Sequence, residues 1–315
     1  AYVGYVHYYK GKFNAYQRTY VLDNFSEHIM FVKYFLTMFL QSHIQTNKNE
    51  GNTPYIVMAT LKDFEILLPP LNEQIAIANI LSDVDRYLYT LDALILKKES
   101  VKKALSFELL SQRKRLKGFN QNWQRVRLGD IAEIIGGGTP STQITSFWNG
   151  SINWFTPTEI GITKYVYKSQ RTITPLGLKK SSAKLLPIGT ILLTSRASIG
   201  DCAILKVVAT TNQGFQSLIP LEKINNEFLY YLILTLKNKL LELASGSTFL
   251  EVSPNKIKNL LIPLPPLNEQ IAIANILSAL DNEIISLKNK KRQFDNIKKA
   301  LNHDLMSAKI RVLKK

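Results

Sequence analysis

Cysteine occurs once, at position 202, in a chain of 315 residues. One thiol excludes a disulfide framework and a thiolate metal site, and Cys202 is expected to be an inert, buried strand residue. Histidine is nearly as scarce. His7, His28, His43 and His303 are scattered, with no HExxH and no metal-ligand spacing. No apolar run approaches the roughly 20 residues that a membrane-spanning helix needs. No membrane partner is therefore expected. The opening AYVGYVHYYKGKF has no signal-peptide pattern, and a reducing, cytoplasmic setting is the expectation. The phosphate-loop pattern GxxxxGK[ST] is missing, and Gly136-Gly137-Gly138 lacks the spacing of a dinucleotide fingerprint. The Asn/Asp-Pro-Pro-aromatic motif of amino-methyltransferases is missing too, because both Pro-Pro pairs are flanked by leucines. These absences predict no catalytic residue, no cofactor and no metal in this chain.

Acidic residues are also short: 24 Asp and Glu stand against 40 Lys and Arg, a formal net charge of +16. A balance that basic points to a polyanionic partner. The cations are not spread evenly. Lys97, Lys98, Lys102, Lys103, Arg113, Lys114, Arg115 and Lys117 crowd one segment. Lys288, Lys290, Lys291, Arg292, Lys298, Lys299, Lys309, Arg311, Lys314 and Lys315 crowd another.

What the chain has is a repeat. LPPLNEQIAIANILS occurs at 68–82 and again at 264–278. The match continues at the same offset, with Lys102-Lys103-Ala104-Leu105 on Lys298-Lys299-Ala300-Leu301, Leu109 on Leu305 and Ser111 on Ser307. Upstream it is weaker: Gly4 on Gly200, Tyr34 on Tyr230, Leu36 on Leu232, Phe64 on Leu260. A spacing this long means a duplicated domain-sized unit. Gly4 matches a residue deep inside the second unit, so the chain reads as beginning mid-domain, without the counterpart of roughly residues 117–196.

Each copy of the repeat opens a long helix. The prolines end what precedes them, Asn72 is a candidate N-cap, and Glu73 places negative charge at the positive end of the dipole. No Gly or Pro follows until after Leu116. Apolar positions step by four and three through Ile77, Leu81, Val84, Leu88, Leu91, Ile95, Leu105 and Leu109. In the second copy they run Ile273, Leu277, Leu280, Ile284, Leu287, Phe294, Leu301 and Leu305. This is a heptad seam, interrupted by Lys98, Lys102, Lys291 and Lys298, and it predicts an antiparallel coiled coil of the two helices.

The predicted fold class is α+β, with two globular domains separated by two long helices and the first domain incomplete at its N-terminus. The predicted boundaries are 1–68 for the rear part of the first domain and 69–117 for the first long helix, a spacer. The second domain is 118–264 and the second long helix 265–315. Within these, 1–26 reads as strands, 27–46 as an amphipathic helix, 47–54 as a loop, and 55–70 as a helical turn then a strand. The second domain holds mixed strands and a helix at 227–244.

Polar loops in the complete domain carry the side chains that read base edges and phosphates. These are Thr194, Ser195, Arg196 and Ser198, then Asn212, Gln213 and Gln216, with Gly138 and Thr139 in the glycine loop and Lys179 and Lys180 beyond it. Arg with guanine and Asn or Gln with adenine are the expected pairs. These eleven residues are the candidate DNA-binding set.

The order globular unit, long helix, globular unit, long helix, with PPLNEQ opening each helix, resembles the specificity subunit of type I restriction–modification systems. Trp123, Leu128-Gly129-Asp130, Gly137-Gly138-Thr139-Pro140-Ser141, Trp148-Asn149-Gly150, Pro187-Gly189-Thr190 and Gly200 carry the same likeness. The resemblance implies target-recognition domains that read a bipartite site in double-stranded DNA. It further implies two methyltransferase subunits docked on the helices, with Asn72, Glu73, Gln74, Asn268, Glu269 and Gln270 of the two PPLNEQ motifs as the partner-binding set, and restriction subunits completing the complex. S-adenosylmethionine, ATP and Mg are then expected on those partners and not on this chain. A non-enzymatic coiled-coil scaffold with two globular ends is the alternative, as is a nuclease or methyltransferase with an unrecognised site. Salt-dependent DNA binding separates the scaffold from the DNA reader, and incubation with DNA and cofactor separates the enzyme.

Overall fold

A computed structural model describes residues 3–46, 56–246 and 250–313. The chain divides into two compact units, one of residues 1–97 and 284–315, the other of 98–283.

The first unit is helical. It holds α1 (Ile29–Thr46), α2 (Met58–Lys62), the first part of α3 (Leu71–Leu110) and the last part of α8 (Leu267–Met306). Its core joins Phe31, Phe35, Leu40 and Ile44 of α1 to Ile77 and Leu81 of α3 and to Leu305 and Met306 of α8. The helix expected over 27–46 is thus present, whereas the strands expected over 1–26 are not: residues 5–10 and 12–16 belong to no helix or strand. Tyr5, Tyr9, Phe13 and Tyr16 are exposed there. Alternating Tyr and Val favour extended backbone, but a strand needs a ladder partner, and among the described residues this unit contains no strand to supply one. The strand expected before Pro69 fails for the same reason. The loop expected at 47–54 lies outside the described residues.

The second unit adds the rest of α3 and the start of α8 to a β-rich body. In chain order this body runs β1 (Gln124–Arg127), β2 (Ala132–Gly136), β3 (Trp148–Phe155), β4 (Tyr165–Val166), β5 (Arg171–Ile173), α4 (Pro175–Lys179), β6 (Ile191–Leu193), β7 (Cys202–Leu205), β8 (Ala209–Thr211) and β9 (Gln216–Pro220). It closes with α5 (Asn226–Thr235), α6 (Lys237–Leu243), α7 (Pro254–Lys258) and β10 (Leu261–Leu264). β2-β9-β6-β7-β4 form one sheet, β5-β3-β8 a second, and β1-β10 a ribbon. Cys202 lies buried in β7, as its isolation predicts. The helix expected over 227–244 is broken in two at Leu236.

α3 and α8 have 40 residues each, about 60 Å at 1.5 Å per residue. α3 begins at Leu71, two residues before the start that a cap at Asn72 implies, and α8 begins at the matching Leu267. Asn72 is therefore inside the helix, and the carbonyls of Pro70 and Pro266 take the first helical hydrogen bonds. α3 stops short of the expected 116 and α8 short of the expected 315, because Gln112 and its counterpart Ala308 adopt left-handed backbone, φ 62° and 54°.

Within each unit the two helices run antiparallel, and the seam lysines meet carboxylates across it. In the first unit Lys291 reaches Asp92 at 3.0 Å and Lys298 reaches Asp85; in the second Lys98 reaches Glu283 at 2.7 Å and Lys102 reaches Asp281. The interruptions of the apolar seam are ion pairs at its edge.

Candidate nucleic-acid interface

β2, β6 and β8 deliver three loops to one place in the second unit. The ladder of β2 and β9 ends at Gly136 opposite Gln216. From there the glycine loop lies against residues 211–213: Gly138 N–H donates to Thr211 O at 2.8 Å, and a Cβ on Gly137 would sit 1.9 Å from Asn212 O. Only glycine fits so close an approach. Trp154 Nε1 donates to Gly138 O at 2.8 Å, and Trp148 Nε1 donates to Ser141 O at 3.0 Å, so two indoles anchor the loop. A Cβ on Gly138 would meet Ser182, which brings the Lys179–Lys180 segment alongside. The 194–198 loop joins through Ser195 N–H, which donates to Gly214 O at 2.8 Å.

The structure therefore gathers residues from all the candidate loops but gives them different tasks. Thr194 is buried and its Oγ1 donates to Ser198 O and Asp201 O. Ser195 is buried and its Oγ donates to Gly214 O. Both shape the loop and present no free hydroxyl, which corrects the sequence expectation for them. Ser198 is half-buried and supplies the carbonyl that Thr194 uses. Arg196 is paired with Glu251 at 2.8 Å. Asn212 Oδ1 accepts from Gly214 N–H at 2.8 Å and fixes the turn. Gln216 is buried, and its Oε1 has no partner. Gln213, Lys179 and Lys180 are exposed. The Gln213 amide is held by a hydrogen bond from Thr139 Oγ1.

Arg171 was not singled out from the sequence. Its guanidinium lies 3.8 Å from the Trp148 ring centroid and 5.5 Å from that of Trp154. The signal was the pair of tryptophans in β3, on whose rings a charged residue can stack.

The partner-binding set separates in the same way. Glu73 and Glu269 are buried: Arg311 grips Glu73 with both Nε and Nη2, and Arg115 grips Glu269 likewise at 3.2 and 2.7 Å. Trp123 Nε1 also donates to Glu269, at 3.0 Å. Gln74 Oε1 accepts from His28 N–H and Gln270 Oε1 from Asn225 N–H, while each Nε2 donates to the carbonyl of Pro69 or Pro265. These four side chains tie the helix start to its own domain, so they offer nothing to another chain. Asn72 and Asn268 are exposed.

A polar cluster fixes α5 to α8 in the second unit. Lys164 Nζ donates to Glu227 at 2.8 Å and to Ser278 at 2.6 Å, and Tyr165 and Ser278 also donate to Glu227. Burial alone would raise the Glu227 carboxyl, but the hydrogen bonds from Lys164, Ser278 and Tyr165 outweigh it and hold the group down at about 2. Tyr231 bonds Ser278 and Asp281 here, as Tyr34 bonds Ser82 and Asp85 in the first unit. The structural counterpart of Tyr34 is therefore Tyr231 and not Tyr230. The stretch from tyrosine to serine is one residue shorter in the second copy, 47 against 48.

Among the described residues no cluster of His, Cys, Asp and Glu is arranged to hold a metal ion, and no helix is long and apolar enough to cross a membrane.

The profile of the family described as "Type I restriction modification DNA specificity domain" matches residues 1–99 and 120–294. The MjaIX specificity subunit of Methanocaldococcus jannaschii is 42% identical over 183 residues, 57% of this chain and 42% of that protein. The putative MjaX specificity subunit of the same organism is 30% identical over 316 residues, covering 96% of this chain and 70% of that one. Against the first of these the chain accounts for less than half of the relative's length. Two solved structures share the fold. The type I system S subunit from M. genitalium has a TM-score of 0.60 at 20% identity, over 88% of this chain and 72% of that one. The HsdS subunit from Thermoanaerobacter tengcongensis has a TM-score of 0.55 at 19% identity, over 88% and 69%.

Proposed function

The chain belongs to the type I restriction–modification DNA specificity family, and from that premise we propose that it is the DNA-recognition subunit of such a complex. Its second unit reads one half of a bipartite target in double-stranded DNA. The observation that carries this reading is the gathering of the glycine loop, the 194–198 loop and the 211–216 loop at one place on a basic chain, with Gln213, Lys179 and Lys180 exposed there. Cations contact phosphates and position the protein, and polar loop side chains read base edges.

Catalysis belongs to the partners: methyltransferase subunits with S-adenosylmethionine, and restriction subunits with ATP and Mg, acting on DNA in the cytoplasm. The duplicated helix start provides two like surfaces for them. Leu71, Asn72 and Ile75 are exposed on α3, and Leu267, Asn268 and Ile271 at the matching positions of α8. Two equivalent patches suit two copies of one methyltransferase subunit. This replaces the buried Glu and Gln of the motif by its outward face.

The test is the methylated-base map of a host expressing the chain with its methyltransferase subunit. A two-part motif with a fixed gap, lost when the chain is deleted, is the expected result. An unchanged map after deletion contradicts the reading.

A further inference from the structure

Resting on the DNA-recognition reading above, we propose that Gln213 is a base-reading residue of the second unit. It reads with the N–H donors of Nε2, its target is a guanine, and Thr139 is the residue that positions it. Most of the other candidate polar side chains of these loops are bonded within the protein or buried. Thr194 and Ser195 donate to carbonyls, Asn212 Oδ1 accepts from Gly214, Arg196 pairs with Glu251, and Gln216 is buried. Gln213 is exposed. Its Oε1 accepts from Thr139 Oγ1, which orients the amide so that Nε2 is the end left to a ligand.

Thr139 itself sits on backbone that cannot shift. Gly138 is hydrogen-bonded to Thr211 through its N–H and to Trp154 through its carbonyl, and Gly137 and Gly138 have no room for a Cβ. A long amide side chain fixed before binding loses less conformational entropy on contact. The sequence-level expectation was Gln with adenine, a pair that uses the oxygen and the nitrogen together. With Oε1 already accepting from Thr139, the exposed end is a pure donor. Guanine is the base whose major-groove edge presents two acceptors, N7 and O6, and no donor, whereas thymine offers O4 alone beside its methyl group.

The experiment is selection of binding sites from a randomised duplex pool by the full chain and four variants: Gln213→Ala, Gln213→Glu, Thr139→Val and Thr139→Ser. Thermal unfolding of each variant is measured alongside. The expected result is a guanine at one position of the selected site. Gln213→Ala loses about tenfold of its preference there, and Gln213→Glu, which only accepts, turns it towards cytosine. Thr139→Val weakens the same position alone, and Thr139→Ser restores it. A merely structural role for Thr139 would weaken every position together and lower the unfolding temperature. The proposal is overturned if the position sensitive to Gln213 holds another base, or if no single position responds to the variants. In those cases the DNA-recognition reading survives, because the wild type still selects a site; a wild type that selects nothing removes both.

Discussion

Glu73 and Glu269 occupy the same place in the two copies of PPLNEQ, each buried and gripped by an arginine from beyond the end of the opposite helix. Asn72 and Asn268, one residue earlier, face water. The motif was plain in the sequence, but the division of labour inside it was not, because burial depends on which helix face meets the domain. Removing one member of a buried ion pair leaves the other uncompensated. Glu269→Ala is therefore expected to lower the unfolding free energy by about 3 kcal/mol in urea titrations, and Asn268→Ala by less than about 0.5 kcal/mol. Equal effects would mean that the Arg115–Glu269 pair holds nothing.

Glu227 gives a pH dependence of known sign. Its folded carboxyl titrates at about 2 against 4.5 ordinarily, so folding favours the ionised form. The stability it contributes is present above about pH 4.5 and is lost as the pH falls towards 2. The Glu73 carboxyl is also held low, by Arg311, and adds a loss of the same direction. A comparison with Lys164→Met isolates Glu227. Between pH 5 and pH 3 the variant should lose less unfolding free energy than the wild type, measured by urea unfolding at both values.

At the scale of elements, the long helices were legible and the strands of the first unit were not. A heptad seam is a local pattern whose partner was also in the sequence, and Ile77, Leu81, Ile273 and Leu277 are buried as it requires. Strand pairing is not local, and alternation in residues 5–22 carries no information on whether a partner strand is at hand. The helix ends were misjudged because neither carries the glycine that usually marks a left-handed cap. Gln112 and Ala308 take that conformation at a cost that glycine would not bear. Ala308→Gly should therefore raise stability by about 0.5–1 kcal/mol, although the same substitution in the middle of α8 would lower it. A melting temperature unchanged or reduced by Ala308→Gly would contradict the assigned cap.

At the scale of the molecule, the repeat pointed to a duplicated unit and the charge balance to a polyanionic partner. The candidate loops were also found from sequence, since Gly, Thr, Asn and Gln cluster there. The sequence did not show which of their atoms were already spent on holding the loops together, because those bonds join residues up to 74 positions apart. Recognition of DNA by the second unit is the central claim. Its most direct test is the affinity of the full chain for duplex DNA as a function of salt, for the wild type and for Lys179→Gln/Lys180→Gln. The logarithm of affinity should fall linearly with the logarithm of salt, by about 0.9 per phosphate neutralised, and the double variant should reduce that slope by about 1.8. Binding that is independent of salt, or a slope untouched by the loss of both lysines, would contradict the placement of the DNA on this face.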